Sequence, residues 1–326
     1  MSQRVEIDSK LSASEPLVRA GVALCGLSAV AALLAWAYRL GSFQRWFWMA
    51  TVPALLIIAV VARATARTGA RDLHNSIVAG AFGGLLGTAA YDLFRAPFAL
   101  LGYRLLSPID SYGVLLLGAR HSSPATAMAG WLYHLADGIG FGIAYGVLFS
   151  RRDWRWGLAW GSMLETMSLL TPLGGLYGIS GKPDVILLAY GGHLAYGATL
   201  GLLVQHRDET VRYFGVIGRH AFAAALVVTV AGLSLWLRPW SRGSSTTAVQ
   251  NGHLTPAWLR VAPGGCAHIA NRDTVAYDVP HSNPPAQLVP GQTTTVCFTG
   301  SGAKRIKFGA GPWSGGFVLV DPVLAS

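Results

Sequence analysis

Residues 125–150 read ATAMAGWLYHLADGIGFGIAYGVLFS, a stretch that is almost wholly apolar. About 20 apolar residues in a helix are enough to cross a bilayer, so this stretch predicts a membrane-spanning helix. It carries His134 and Asp137 near its middle, three residues apart and therefore on one face of the helix. Ionisable side chains in hydrocarbon are costly unless they find partners, and they usually mark a functional path inside a bundle. We therefore expect other helices to supply partners for these two side chains.

The composition of the whole chain is typical of a membrane protein. Of its 326 residues, 52% are hydrophobic and only 12% are charged, whereas soluble domains carry about 25% charged residues. The net charge of +10 comes mostly from arginines in short loops between apolar runs, a distribution that membrane topology explains. We therefore expect contact with a lipid bilayer and no nucleic-acid partner.

Apolar runs predict an α-helical polytopic membrane bundle of about seven transmembrane helices over residues 17–240, after a cytoplasmic tail at residues 1–16. The expected spans are Leu17–Leu40, Trp46–Ala62, Ser76–Leu101, Ala125–Phe149, Trp156–Tyr177, Val185–Gln205 and Phe222–Leu237. Arginines are most frequent after the second, fourth and sixth spans. Cytoplasmic loops carry the excess of Lys and Arg, so we expect these loops and the N-terminus in the cytoplasm. Residues after Leu237 are then expected outside a cell (inner) membrane.

Glycines recur at four-residue spacing in several of these spans. They are Gly80 and Gly84, then Gly138, Gly142 and Gly146, then Gly197 and Gly201. Such spacing lets membrane helices approach each other closely, so we expect tight helix packing at these positions. A nucleotide-binding glycine loop is not expected, because these glycines lie inside apolar helices and follow no strand.

Four consecutive expected helices each carry an ionisable side chain near the middle of the membrane. Counted from the ends of the expected spans, the groups at this common depth are His134, Asp137, Glu165 and His193. Asp92 lies somewhat nearer the outer face. Arg95 follows Asp92 by three residues, so these two side chains can pair on one helix face. The pattern predicts one polar site inside the bundle.

Three kinds of chemistry fit these side chains, and all three stay open. Imidazoles and carboxylates on neighbouring helices are typical ligands of zinc, iron, copper or manganese. In such a metal site, Asp92 would be an outer ligand or proton acceptor, and Arg95 would balance charge. The same residue types also carry protons through membranes. A buried network that contains an Asp92–Arg95 pair can equally hold a bundle together without a ligand.

The composition changes after residue 240. Residues 241–252 are rich in Ser, Thr and Gly and predict a flexible linker. Residues 253–326 show short alternating runs separated by Gly and Pro, which predict a small all-β domain outside the membrane. Its two cysteines, Cys266 and Cys297, would lie in an oxidising compartment, where disulfides form and persist. We expect them to be bonded to each other.

Three motifs in this outer segment are similar to those of a known family. Residues 271–279 (NRDTVAYDV) match Asn-x-Asp-x-x-x-His-x-Val, and residues 288–293 (LVPGQT) match Leu-x-Pro-Gly-Gln-Thr. Residues 309–320 match a closing ligand loop and a last strand. Over most of its length the segment therefore resembles a cupredoxin, the small β-sandwich of blue-copper proteins, and the resemblance implies that fold.

In the same alignment, other residues stand at all four positions of the copper ligands. Tyr277 stands at the first histidine and Phe308 at the cysteine. Gly311 stands at the second histidine and Ser314 at the methionine. A type 1 copper centre needs a thiolate and two imidazoles, so we expect a cupredoxin-like domain without type 1 copper.

The expected function combines these two parts. We expect an integral membrane protein with an intramembrane metal site, whose outer domain docks a partner in a membrane complex or covers the mouth of the bundle. One alternative is a non-catalytic accessory or assembly subunit of a membrane redox complex. The other is a proton-coupled transporter. The sequence identifies no catalytic residue and leaves open whether the protein is an enzyme.

Overall fold

The structure is a computed structural model that describes residues 15–101, 103, 105, 107–213, 246–279, 286–308 and 314–321. These residues form a helical part and, after residue 245, a β-sheet domain. The expected polar tail lies almost wholly outside the described residues. So do the expected seventh helix, Phe222–Leu237, and the replaced copper-ligand position Gly311.

The helical part agrees with the apolar runs of the sequence, with shifted bounds. Its helices are α1 (Glu15–Gly26), α2 (Ser28–Ala37), α3 (Phe43–Thr68, with a π-helical turn at Phe47–Thr51), α4 (Arg71–Leu100), α5 (Ser107–Leu116), α6 (Pro124–Phe149), α7 (Arg155–Leu170), α8 (Pro172–Leu176) and α9 (Pro183–Gln205). Helix α6 starts at a capping box between Ser123 and Thr126, which satisfies backbone donors at its first turn.

Four helices in the described part, α3, α4, α6 and α9, are long and apolar enough to cross a membrane. Helices α1 and α2 together make a fifth span if they are treated as one membrane crossing with a 50° bend between them. The expected count of about seven is not confirmed. The expected fifth helix ends at Leu170 instead of Tyr177, because Thr171 adopts an extended backbone before Pro172, as residues before proline tend to do.

Glycine contacts hold two helix pairs together. In the α4–α6 pair, a Cβ atom on Gly84 would clash with the carbonyl oxygen of Gly138. In the α7–α9 pair, a Cβ atom on Gly157 would clash with the carbonyl oxygen of Gly197. Only glycine permits this approach of the two backbones, as expected for small residues at membrane helix contacts.

A cluster of charges marks one end of the bundle. Asp72, in the first turn of α4, accepts hydrogen bonds from Arg19 and from Arg207, the latter at 2.7 Å. Arg151 lies 3.5 Å from the same carboxylate. The arginine-rich loops therefore lie at one end of the bundle, and the sheet domain lies at the other. This arrangement is compatible with the expected topology, while the identity of each membrane side stays a prediction.

The sheet domain contains eight described strands. They are β1 (Thr246–Gln250), β2 (His253–Val261), β3 (Cys266–Asn271), β4 (Tyr277–Val279), β5 (Ala286–Leu288), β6 (Thr293–Cys297), β7 (Gly302–Ile306) and β8 (Gly315–Val320). Six form one sheet in the order β6-β3-β1-β2-β8-β7, and β4 pairs with β5 in a hairpin. Strands β1 and β3 are parallel, as are β2 and β8, and the other pairs are antiparallel.

One apolar core fills this domain. Val296 of β6 and Ile306 of β7, at opposite edges of the sheet, belong to the same buried cluster as Leu288 of the hairpin. The six-stranded sheet therefore curls into a half-barrel. The expected two-sheet sandwich is not confirmed. The linker prediction was wrong for residues 246–250, which form β1, because β2 and β3 provide hydrogen-bonding partners on both sides.

The expected disulfide is present. Cys266 and Cys297 are paired across β3 and β6, with an S–S distance of 2.04 Å. Their neighbours Ala267 and Val296 are buried on the opposite face of the sheet, as side-chain alternation along a strand requires. The disulfide therefore links edge strand β6 to β3 on the outward face of the sheet.

The sheet domain is seated directly on the helical part. The loop before α6 pairs with β2: the Ser122 amide donates to the Trp258 carbonyl at 2.8 Å, and the Trp258 amide donates to Ser122 Oγ at 2.9 Å. Farther along, the Arg260 amide donates to the carbonyl of residue 120 at 2.6 Å. Trp258 also shares an apolar cluster with Leu173 and Leu176. The domain thus covers one end of the bundle.

Candidate functional site

The first half of the polar site is a pair between α4 and α6. His134 Nε2 lies 3.1 Å from each carboxylate oxygen of Asp92. Arg95, one turn after Asp92 on α4, donates from Nη2 to the same carboxylate and from Nη1 to the Leu105 carbonyl at 2.8 Å. Asp92 therefore forms an ion pair with Arg95 beside its contact with His134.

The second half is a pair between α7 and α9. His193 Nδ1 lies 3.1 Å from Glu165 Oε2 and 3.0 Å from the Ala189 carbonyl oxygen. A carbonyl oxygen can only accept, so the hydrogen bond places a hydrogen on Nδ1 of His193. The Glu165 side chain is only 1% exposed. Among the described residues, no arginine or lysine forms an ion pair with it.

Tyr91 lies between the two pairs. Its ring contacts the His193 ring edge-to-face at a centroid distance of 4.8 Å, and its centroid lies 6.0 Å from that of His134. The Arg95 guanidinium lies 3.8 Å from the Tyr91 ring centroid, a cation–π contact. Tyr91 is also within electrostatic reach of Glu165 and Asp137. The expected ionisable residues therefore surround one aromatic ring.

Three polar atoms at this site are buried without a hydrogen-bond partner among the described residues. They are Asp137 Oδ1, Glu165 Oε1 and Arg95 Nε. A buried polar atom without a partner costs about 1–3 kcal/mol. A bound water molecule would satisfy any of the three, and the two carboxylate oxygens can also bind a proton or a cation.

The five expected metal ligands do not converge on one point. Asp92 pairs with His134, Glu165 pairs with His193, and Asp137 joins neither pair. Within the part of the chain that the structure describes, no group of three or more His, Cys, Asp or Glu side chains is arranged to hold a metal ion. The metal site stays a prediction, without geometric support from these residues.

The histidine of each pair is the first residue of a short repeated sequence motif. Residues 134–138 read HLADG on α6, and residues 193–197 read HLAYG on α9. In each helix another glycine lies four residues after the glycine of the motif. Each helix also has a proline in its first turn, ten residues before the histidine of the motif. Helices α6 and α9 are therefore similar in sequence as well as in their role at the site.

The helices that precede them match in the same way. Asp92 follows Gly84 by eight residues, and Glu165 follows Gly157 by eight residues. Each of these glycines packs against the last glycine of the motif on the partner helix. The hairpin α4–α6 thus has the same plan as α7–α9, with a short helix, α5 or α8, in each connection. This direct repeat and the central position of Tyr91 were missed in the sequence analysis, although the repeated HLAxG motif was there to find.

The surroundings of the site differ at its two ends. Toward the sheet domain, Asp137 is within electrostatic reach of Tyr112 and Tyr133, whose ring centroids are 5.2 Å apart. Beyond them, the Tyr177 hydroxyl lies 3.0 Å from Ser111 Oγ. Toward the arginine-rich end, the core consists mainly of apolar and aromatic side chains packed around the close glycine contacts. Buried hydroxyl groups lie on this side as well: that of Thr88 on α4 donates to the Gly84 carbonyl at 2.8 Å.

Two of the replaced copper-ligand positions lie together in the sheet domain. The rings of Tyr277 and Phe308 meet at a centroid distance of 5.5 Å and an interplanar angle of 64°. Phe308 is buried, and so is Ser314. The resemblance to cupredoxins, and the absence of type 1 copper that it implies, stay predictions.

A turn beside this position is held by Asp273. Its carboxylate accepts hydrogen bonds from the amide of Gly252 at 2.8 Å, the amide of Asn251 and the hydroxyl of Tyr277 at 2.7 Å. These bonds, first of all that from Gly252, hold the pKa of Asp273 below its usual range. Removal from water and the nearby Asp273 carboxylate raise the pKa of Tyr277. Tyr277 therefore serves as a neutral hydrogen-bond donor here.

Comparison with protein-family models, with curated proteins and with solved structures finds no match. The functional proposal therefore depends on the geometry of the two carboxylate–histidine pairs and of the domain above them.

Proposed function

We propose that this protein moves protons across a membrane, with Glu165 and His193 as the pair that takes up and releases the proton. The observation that carries the proposal is the asymmetry between the two repeated pairs. Arg95 accompanies Asp92, whereas Glu165 is deeply buried and has only His193 as its ionisable partner among the described residues. Of the functions expected from the sequence, this is the proton-coupled transporter and not the intramembrane metal site.

The proposed proton transfer uses His193 Nε2 and Glu165. Because Nδ1 of His193 donates to Glu165 and to the Ala189 carbonyl, an additional proton binds at Nε2 or on the carboxylate. A positive imidazolium beside a negative carboxylate is neutral overall, as is an uncharged imidazole beside a protonated acid. The loaded pair is therefore neutral, and release of the proton leaves one negative charge on the Glu165 carboxylate, which the hydrogen bond from His193 Nδ1 stabilises.

Asp92, His134 and Arg95 would act as the fixed electrostatic partner of this site. Arg95 neutralises Asp92 and lies over the Tyr91 ring, so it sets the potential around the proton-carrying pair without leaving an isolated charge in the membrane. The two tyrosines near Asp137 supply hydroxyls on the side of the sheet domain. Proton entry from that side, with release at the arginine-rich end in another conformation, is the simplest path.

We propose a second role for the sheet domain, as a copper-free, cupredoxin-like cover over the mouth of the bundle. This part rests on the aromatic contact of Tyr277 and Phe308 at the replaced ligand positions, and on the backbone pairing between the loop before α6 and β2. Because the same loop leads directly into α6, which carries His134, movement of the cover would reach the Asp92–His134 pair.

Proton flux into liposomes tests the proposed function. The purified protein is reconstituted with a trapped pH-sensitive dye, and the outside is acidified while valinomycin and potassium prevent a build-up of voltage. The wild type should acidify the interior faster than protein-free liposomes, and Glu165→Gln should abolish the difference. Tyr196→Phe is the matched control, because it removes only a buried hydrogen bond to the Gly138 carbonyl. Wild-type flux equal to that of protein-free liposomes would overturn the proposal.

A further inference from the structure

A cavity opens where the helical part meets the sheet domain. It has a volume of about 330 Å³ and lies between the end of α2, helix α8 and the turn before β7. Tyr38, Arg39, Leu176 and Ser301 are among its lining residues. Helix α2 ends at Ala37 and α3 begins at Phe43, so the cavity lies at the level where the spans leave the membrane.

Arg39 gives this cavity a positive charge. Its backbone has a φ of 68°, the left-handed conformation that ends helix α2, where the Leu40 amide donates to the Ala35 carbonyl at 2.8 Å. Among the residues that the structure describes, no carboxylate pairs with its guanidinium. A charged group of this kind at a cavity wall is available to an anionic ligand, and guanidinium is well suited to bind phosphate by two parallel hydrogen bonds.

Apolar side chains extend from the same loop toward the lipid. Tyr38 is 51% exposed, Leu40 is 63% exposed and Trp46 is 39% exposed. The indole of Trp46 donates to the Leu40 carbonyl at 3.2 Å, which holds the loop in place. A cation above an apolar, lipid-facing surface is complementary to a phospholipid, whose phosphate and acyl chains lie in that order along the membrane normal.

We propose that this cavity binds the headgroup of an anionic phospholipid, with its phosphate on Arg39 and Ser301 and its acyl chains along Tyr38 and Leu40. The unbalanced charge of Arg39 favours an anionic over a zwitterionic headgroup. The exposed apolar surface below it favours a lipid over free phosphate. A lipid in this place contacts both the bundle and the turn before β7, so it would help to hold the cover on the bundle. The inference is independent of the proposed proton transport.

Native mass spectrometry of the detergent-purified full chain tests the site. Delipidated protein is mixed with phosphatidylglycerol, with phosphatidylcholine, or with inorganic phosphate as the probe for a free anion. The wild type should retain one phosphatidylglycerol in preference to phosphatidylcholine. Arg39→Gln should weaken that binding about tenfold or more, as expected for the loss of a charged hydrogen bond. Arg45→Gln, an exposed arginine close by on the same loop and helix end that does not line the cavity, should bind as the wild type does.

Three results would overturn the inference. The first is a wild type without preference between the two lipids, a result that requires no variant to fold. The second is an equal loss of binding in Arg39→Gln and Arg45→Gln, which would indicate general surface charge. The third is displacement of the lipid by inorganic phosphate at concentrations comparable to the lipid's own, which would assign the cavity to a free anion.

Discussion

Asp92 and Glu165 occupy matching positions in two repeated helical hairpins, and among the described residues an arginine forms an ion pair with Asp92 but not with Glu165. Each carboxylate bonds to the histidine of an HLAxG motif on the following long helix, with the same 3.1 Å separation. The repeat therefore produced two similar sites, of which one is neutralised within the chain and the other keeps an unpartnered buried oxygen. This difference is the physical basis for assigning the mobile proton to Glu165 and His193.

The Asp92–Arg95 pair should be important for stability. Asp92→Asn leaves the buried Arg95 without its carboxylate, and breaking a buried ion pair costs about 3–5 kcal/mol. We expect a marked fall in the thermal unfolding midpoint in detergent. The double variant Asp92→Asn with Arg95→Met should recover most of that loss, because it removes the unpaired charge. A double variant no more stable than Asp92→Asn would show that the pair's charge is not the source of the effect.

The glycine contact between α4 and α6 should tolerate no side chain. Gly84→Ala would bring a Cβ atom into the Gly138 carbonyl, and overpacking of this kind costs about 1–3 kcal/mol. Gly21→Ala is the control, because no heavy atom lies within 4 Å of the added carbon. Thermal unfolding in detergent should show a destabilised Gly84 variant and an unchanged or stabilised Gly21 variant. Equal midpoints for the two would contradict the observed helix packing.

The pairing of the loop before α6 with β2 should protect specific amides. Ser122→Ala removes the acceptor of the Trp258 amide, and Ser122→Pro also removes the donor to the Trp258 carbonyl. Hydrogen exchange should become faster at Trp258 in both variants, and at Arg260 in the proline variant. Amides within β3 serve as the internal control and should keep their protection. Unchanged exchange at Trp258 in both variants would mean that the cover is not held by this contact.

Acid should weaken the sheet domain through Asp273. A carboxyl group whose pKa is lower in the folded state stabilises that state above its unfolded pKa of about 3.9. That contribution is lost as the pH falls through the unfolded value and then through the lower folded value. Thermal unfolding followed by tryptophan fluorescence should therefore show a smaller effect of Asp273→Asn as the pH is lowered through this range. A difference between wild type and variant that stays constant with pH would refute the assignment.

Features of the chain that depend on local pattern were predictable from the sequence. The apolar runs predicted the main helices, the glycine spacing predicted close helix approach at positions where α4 and α6 meet, and the cysteine pair in the outer domain predicted the disulfide. Each of these follows from composition or periodicity within a single segment.

The arrangement of the polar site could not be derived in the same way. Depth along a helix follows from counting residues, so the ionisable groups were expected near one level. Which carboxylate faces which histidine depends on the rotation of each helix against its neighbours, and the glycine contacts set that rotation. The five expected ligands therefore separated into two pairs and Asp137. Strand β1 was missed for a related reason, since residues 246–250 are ordered by β2 and β3 and not by their own composition.

The most direct measurement is infrared difference spectroscopy of the membrane-reconstituted protein during a pH titration, comparing the wild type, Glu165→Gln and Asp92→Asn. Each carboxyl group that takes up a proton adds a carboxylic-acid carbonyl band on acidification, so the spectrum of each variant is subtracted from that of the wild type. The wild type minus Glu165→Gln spectrum should contain a titrating carboxylic-acid band that shifts in heavy water, and the same band should remain in any folded Asp92→Asn protein. Bands of other carboxyl groups, including the buried Asp137, should be the same in the wild type and Glu165→Gln. Identical titrating bands in the wild type and Glu165→Gln would contradict the assignment of the mobile proton to Glu165 and His193.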